Sequence, residues 1–412
     1  MSVLKGMRVV EGSAFVAVPL AGMTLAQMGA EVIRFDRIGG GLDAGRWPLG
    51  PDKQSLFWSG MNKNKKSIAV DMKSDEGREL ITQIITAPGE DAGLFLTNLR
   101  VRGWMDYDTL RQHREDLVMV TLTGDRHGRP QVDYTVNPAL GVPHMTGPEG
   151  STEPVAHALP AWDLIAGNMC VSALLAAERQ RLRGRGGQEV ELALKDVAAA
   201  TLGHLGMIAD ATVNQSDRGK AGNALYGAYG QDFLCKDGRR VMVIGLTHRQ
   251  WRGLVSATGS EEAITALEGR LGVSLNDEGN RWTHRAAITG VLEPWFAARR
   301  VSEFEADFNA RGLTWSEFRT VREALACDPD MSTDNPLFST VQHPGLGSFL
   351  TPAHPASFSD ALRTDPAPAP ELGANTEEIL AEVVGLGAGQ IGRLFDTGVV
   401  AAPNHGACKT AA

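Results

Sequence analysis

Strand, helix and strand follow one another within the first 36 residues, and that order limits the folds open to this chain. Met7-Arg-Val-Val-Glu-Gly-Ser13 reads as a short strand. Pro19 to Met28 carries apolar residues at helical spacing, and Gly29 ends it. Glu31-Val-Ile-Arg-Phe-Asp36 is a second strand, followed by the loop Arg37-Ile-Gly-Gly-Gly-Leu-Asp43. Two strands joined through a helix run parallel, because only a crossover returns the chain to the same edge. Parallel sheets are covered by helices on both faces, so this opening predicts an α/β fold with buried strands.

The pattern continues. Ser67-Ile-Ala-Val-Asp71, Ala92 to Asn98, Leu117 to Thr123 and Glu189 to Ala193 read as further strands. Asp75 to Thr86, Asp163 to Arg181 and Asp196 to Asp210 read as helices. Near residue 220 the character changes. Gly222-Asn-Ala-Leu-Tyr-Gly-Ala-Tyr-Gly230 is turn-like, and Asp232 to Gly245 reads as a hairpin turning at Lys236-Asp-Gly238. Helical segments follow to about residue 325. The expected organisation is a large α/β domain over 1–224, a smaller α+β domain over 225–325, and a return to the large domain over 326–412. In the return, His343-Pro-Gly-Leu-Gly347, Pro352 to Pro355 and Pro366 to Pro370 read as extended chain, and Asn375 to Val384 as a last helix.

Composition excludes several classes. With formal charge −9 and pI about 5.6, nothing draws the whole chain toward nucleic acid or an anionic membrane. No apolar run reaches the ~20 residues of a membrane span, and Met1-Ser-Val-Leu-Lys-Gly leads straight into a strand without a signal peptide. Cys170, Cys235, Cys327 and Cys408 are scattered, as expected for reduced thiols in the cytoplasm. His157, His204, His248 and His343 form no HxxxH or HxH pair, so no metal site is expected. No P-loop and no G-x-S-x-G elbow occurs.

The first strand-to-helix turn departs from a dinucleotide site. Asp36 stands where the ribose-binding acid belongs, but Glu11-Gly-Ser-Ala-Phe-Val-Ala-Val-Pro-Leu20 has one glycine where the fingerprint needs three. Phe15-Val16-Ala17 sits at the carboxyl end of a parallel strand, where ligands of open α/β sheets bind. These apolar residues suit a flat ring such as adenine, or plain loop packing. Arg37, the cluster Asn62-Lys-Asn-Lys-Lys66 and Lys73 would suit phosphates if strand ends bring them together, and Asn98, Arg100 and Arg102 would add donors. Otherwise the cluster is a solvated face. Arg179 to Arg185 reads as cations at a helix C-terminus. Asp163 opens the apolar stretch Leu164 to Ala177. An acid in that position is either a helix cap or a nucleophile.

Taken together, these residues resemble the class III CoA-transferase family. The resemblance is carried by Leu4-Lys-Gly-Met-Arg-Val-Val-Glu11, Leu25 to Asp36, Asn62 to Asp71, Leu174 to Glu178, Gly184 to Gln188, His343 to Gly347 and Pro368 to Leu380. It implies a Rossmann-like large domain with a parallel sheet plus a smaller α+β domain. It further implies an acyl-CoA substrate, coenzyme A present only as part of that substrate, and an interlocked homodimer. The family aspartate that attacks the thioester matches Asp163. The CoA-contacting positions match Phe15, Val16, Ala17, Arg37, Val70, Lys73, Asn98 and Leu99, with Arg102 added from the basic strand end. Two stretches depart from the wider family. Asn98-Leu-Arg-Val-Arg-Gly103 lacks the usual proline, and the usual Gln before the catalytic Asp is replaced around Asn137-Pro138.

The chemistry implied is covalent catalysis that splits one exchange into two easier ones. An ionised Asp163 attacks the acyl thioester, and thiolate then attacks the resulting anhydride. The aspartate must stay below neutral pKa, which backbone N–H groups at a helix start would favour. Oxyanion donors are needed as well, with the Gly222–Gly230 loop as candidate. Where donor and acceptor carboxyls belong to one dicarboxylate, the transfer is intramolecular; the alternative is transfer to a separate acid.

Overall fold

The computed structural model describes residues 2–99 and 103–403. Its main sheet has seven strands. They are β1 (Arg8–Gly12), β2 (Glu31–Arg37), β3 (Lys66–Val70), β4 (Leu94–Thr97), β5 (Val118–Thr123), β6 (Gln188–Ala193) and, far along the chain, β12 (Val400–Ala401). The order is β12-β3-β2-β1-β4-β5-β6. The first six are parallel, with Val9 beside Val32 on one side and Leu94 on the other. β12 pairs antiparallel with β3 at the edge. Val9, Val10, Ile33, Phe35, Ile68, Val70 and Leu94 to Leu96 are all buried, as two-sided helix cover requires. This is the doubly wound order, with the switch in direction between β1 and β4.

Helix α1 (Ala17–Gln27) returns from β1 to β2, and α2 (Leu56–Met61) and α3 (Asp75–Ile85) flank β3. Ser74 caps α3 by accepting from the Gly77 N–H, with Asp75 and Glu76 in its first turn. Next come the short α4 (Asp133–Ala139), the long α5 (Ala161–Gln180) and α6 (Leu194–His204). The last of these was expected to run on to Asp210. It stops instead at Leu205, because Gly206 takes φ +75, and a separate short helix, Met207–Val213, follows. The basic run does stand at the end of α5, with Arg179, Arg183 and Arg185 exposed, but one of its arginines turns inward. Arg181 is buried, pairs with Glu178 and Asp116 and donates to the Ala92 carbonyl, tying α5 to the start of β4.

The chain divides into two compact units. The first comprises Met1–Leu140, Ala158–Ala209 and Pro329–Ala412, and the second Gly141–His157 and Asp210–Asp328. The second unit therefore begins earlier than residue 225 and also takes in 141–157. Its antiparallel sheet of β7 (Tyr229–Leu234), β8 (Arg240–Gly245) and β9 (Thr314–Glu317) packs helices around Tyr229, Phe233, Trp251, Phe296 and Phe308. In the first unit, the segment read as extended proline-rich chain is a hairpin. β10 (Phe338–His343) pairs with β11 (Gly347–Pro352), and Pro344 to Leu346 form its turn. Among the described residues no helix is long and apolar enough to cross a membrane.

Candidate active site

Two acids compete for the start of α5, and the structure separates their roles. Pro160 is the N-cap and supplies no side-chain cap. The cap comes from a neighbouring helix. Asp133, first residue of α4 and buried, accepts the Trp162 N–H at 2.8 Å. Four residues later Asn137 accepts the Trp162 indole N–H at 3.2 Å. Asp163 is thereby released from capping, and its half-buried carboxylate accepts no hydrogen bond among the described residues. Helix N–H groups were expected to hold its pKa down; they do not reach it. Burial instead pushes the carboxyl up to about 6, the Asp133 carboxylate pushes the same way, and the Arg46 guanidinium opposes them. At neutral pH the group is still mostly ionised, desolvated and unencumbered. That is the condition of a usable carboxylate nucleophile.

Helix α5 lies against α1. Gly167 explains how closely. A methyl group placed there would come 2.7 Å from the Ala17 carbonyl oxygen, so only glycine lets the two helices approach this far. Asp163 is one turn before Gly167 on the same helix face, and side chains lean toward the N-terminus. Asp163 thus shares the face of α5 that meets the first turn of α1. That first turn follows β1 at the switch point, where ligands of doubly wound sheets bind.

The turn itself is tightly held. Phe15 has φ +68, a left-handed conformation that a non-glycine residue adopts only under constraint. The Asn98 side chain, just past β4, grips the residue before it, accepting from the Ala14 N–H at 2.9 Å and donating to the Ala14 carbonyl at 2.8 Å. The Phe15 N–H donates to both carboxylate oxygens of Asp43 at 2.9 Å. The Arg46 guanidinium lies over the Phe15 ring at 5.3 Å and the Phe57 ring at 5.0 Å from their centroids. Val16 caps α1 and, with Ala17, is buried.

The residues singled out from the sequence divide accordingly. Phe15, Val16, Ala17 and Asn98 meet at the β1–β4 switch, with Leu99 following half-buried and packed on the core below. Asp163 faces this group across the α1–α5 contact. Val70 ends β3 inside the core, and Arg37, the last residue of β2, and Lys73, just past β3, are exposed. The Arg37 guanidinium donates to the Gly40 carbonyl at 2.6 Å. Arg102 and Arg100 lie outside the described residues. The basic cluster 62–66 is not a phosphate site. Lys65 is fully buried against Glu11 at 2.8 Å, Lys63 is buried, and Lys66 pairs with Glu31 and Glu378. Sequence reasoning missed Asp43, Arg46 and Asp133. The first two sit in a loop whose composition marks nothing, and Asp133 acts on a residue 29 positions away.

Comparison with known proteins agrees with this architecture. The profile of CoA-transferase family III matches residues 4–376. The 2-methylfumaryl-CoA isomerase of Chloroflexus aurantiacus is 55% identical over 406 residues, covering 98% of this chain and 99% of the relative. Human succinyl-CoA:glutarate CoA-transferase is 26% identical over 414 residues, covering 96% and 90%. A solved CaiB/BaiF family protein from Brucella suis superposes with TM-score 0.76 at 23% identity, covering 93% of this chain and 99% of that one. With the profile spanning most of the sequence and a relative matching nearly end to end, the chain belongs to CoA-transferase family III.

Proposed function

We propose that this enzyme moves coenzyme A between the two carboxyl groups of one unsaturated, methyl-branched dicarboxylate. It would convert 2-methylfumaryl-CoA (mesaconyl-C1-CoA) to 3-methylfumaryl-CoA (mesaconyl-C4-CoA). The specific substrate rests on the near full-length similarity to the Chloroflexus isomerase. The observation that carries the chemistry is Asp163, a desolvated carboxylate free of the cap and opposed to the switch-point turn.

In this reading the Asp163 carboxylate attacks the C1 thioester carbonyl, the C–S bond breaks, and coenzyme A leaves as thiolate. The mixed anhydride is then attacked by that thiolate at the aspartyl carbonyl, which releases the diacid as carboxylate and leaves an aspartyl–CoA thioester. The C4 carboxylate of the same diacid attacks this thioester and expels the thiolate. The thiolate finally attacks the C4 acyl carbon and frees Asp163. No proton is gained or lost, and no resident cofactor takes part. The trans diacid cannot close a cyclic anhydride on itself, so a protein nucleophile is required. Retention of the diacid gives its second carboxylate an effective concentration that no free acid matches. Phe15 to Ala17, Val70, Asn98 and Leu99 are assigned to the CoA body, and Arg37, Lys73 and Arg102 to its phosphates. Arg46, the cation facing Asp163, is assigned to the carboxylate not undergoing attack. The working assembly is a homodimer.

The test is isotopic. The enzyme is incubated with mesaconyl-C1-CoA and excess labelled free mesaconate. The C4 thioester should form with little label and at a rate independent of added acid. Label entering in proportion to free acid would assign the chain to intermolecular transfer instead.

A further inference from the structure

Beneath the switch-point turn lies a buried ionic cluster that the reaction does not use directly. Arg34, whose side chain is 1% exposed, contacts Asp36 at 2.9 Å, Asp43 at 3.2 Å and Glu11 at 3.5 Å, and donates to the Ser13 carbonyl at 3.1 Å. Lys65 supports it by donating to Glu11 at 2.9 Å and to Asn62 at 2.9 Å. Within this cluster Asp43 differs from the other two acids. Glu11 and Asp36 face cations and a neighbouring hydroxyl, whereas Asp43 also reaches out of the cluster in two directions. Its carboxylate takes the Phe15 N–H, and its own carbonyl accepts the Arg46 N–H at 3.2 Å. Phe15 and Arg46 are in turn joined to each other by the guanidinium lying over the ring. One side chain, only 2% exposed and anchored by a buried cation, therefore fixes the Phe15 turn, and through the Phe15 ring it seats the Arg46 guanidinium.

We propose that Asp43 is a positioning residue for the reaction. It holds the left-handed Phe15 turn and the Arg46 cation in place opposite Asp163. The inference rests on the reading of Asp163 as nucleophile. Left-handed Phe15 is unfavourable by itself, and a charge-assisted hydrogen bond to a rigid, buried acceptor is what keeps it there. Arg46 is exposed, and its guanidinium lies over the Phe15 and Phe57 rings, so loss of the Phe15 turn removes one of the two rings that hold its charge toward Asp163.

The experiment compares Asp43→Ala, Asp43→Asn, Arg46→Ala, the Asp43→Ala/Arg46→Ala double variant and Asp163→Asn, with mesaconyl-C1-CoA as substrate. Asp43→Asn keeps the shape and guards against a folding failure of the alanine variant. In both Asp43 variants kcat should fall by at least tenfold. The acid limb of the kcat/KM profile should move to higher pH, because Arg46 is what lowers the Asp163 pKa. Arg46→Ala should move the limb by a similar amount, and the double variant should move it no further, since both act through one cation. Hydrogen–deuterium exchange of a peptide spanning 13–17 should speed up at least tenfold in Asp43→Ala, with residues 8–12 unchanged. A limb that stays put in both Asp43 variants while Arg46→Ala moves it would overturn the proposal. Unchanged exchange at 13–17 would do so too. Activity in Asp163→Asn would instead bring down the nucleophile reading, a separate outcome read in the same assay.

Discussion

Replacing Asp163 by Asn should make the protein inactive and more stable at once, with the gain depending on pH. The folded-state carboxyl titrates at about 6 against an ordinary 3.8, because it is buried and faces Asp133. At 1.36 kcal/mol per pH unit that difference corresponds to about 3 kcal/mol between protonated and ionised forms. Residual solvent screening of a half-buried group lowers this to about 1–3 kcal/mol. The sign follows from proton linkage. Between about pH 4 and 6 the folded state holds a proton that the unfolded state has lost. The contribution of Asp163 to stability therefore falls as pH rises through that window, and the full penalty is present above it. Asn has nearly the same shape and no charge, so it escapes the penalty. Chemical unfolding at pH 8 should show the first unit of Asp163→Asn stabilised by about 1–3 kcal/mol, with the gain shrinking toward zero near pH 4. Equal stability at pH 8, or a gain that does not change with pH, would show that the carboxylate is not held under electrostatic strain. The expected outcome is the familiar exchange of stability for a reactive group.

Charge removal at Arg37 or Lys73 should raise KM for the CoA thioester and flatten its salt dependence, leaving kcat nearly unchanged. Unchanged KM in both variants would reduce these exposed cations to solvated surface. Gly167→Ala should push α5 away from α1, because its methyl would meet the Ala17 carbonyl at 2.7 Å. A loss of about 1–3 kcal/mol should accompany a kcat lower by about tenfold or more as Asp163 shifts from the turn. Full activity would show that the α1–α5 spacing does not set where Asp163 must stand for the reaction.

The sheet was legible because its strands announce themselves. Val9-Val10, Val32 to Phe35 and Leu94 to Leu96 are short apolar runs, and only two-sided burial explains them. Asp163 was legible as a candidate site, but whether it caps its helix was not. That choice depends on Asp133, which meets Trp162 only through the fold. The cluster 62–66 misled for a similar reason. Its lysines look solvated in sequence, yet the Glu11 that draws Lys65 inside lies 54 residues earlier. Asp43 and Arg46 carried no signal at all, since a carboxylate that accepts a backbone N–H 28 residues away leaves no periodicity behind. The hairpin of β10 and β11 was hidden by prolines and glycines that serve equally well in a turn or an open strand.

The closing strand β12 and the helices before it have a bearing on how the molecule is made. Ile379, Leu380, Ile391, Leu394 and Val400 belong to the same core as Val10, Phe35 and Ile68. A ribosome therefore releases the opening strands long before the residues that cover them exist. Until residues 376–401 emerge, β3 presents a bare edge and the sheet lacks part of its apolar cover. Such a chain stays open to strand-to-strand aggregation for most of its synthesis. A stop codon placed shortly before residue 376 would leave Asp163 and the Phe15 turn fully encoded and still yield no finished sheet to hold them.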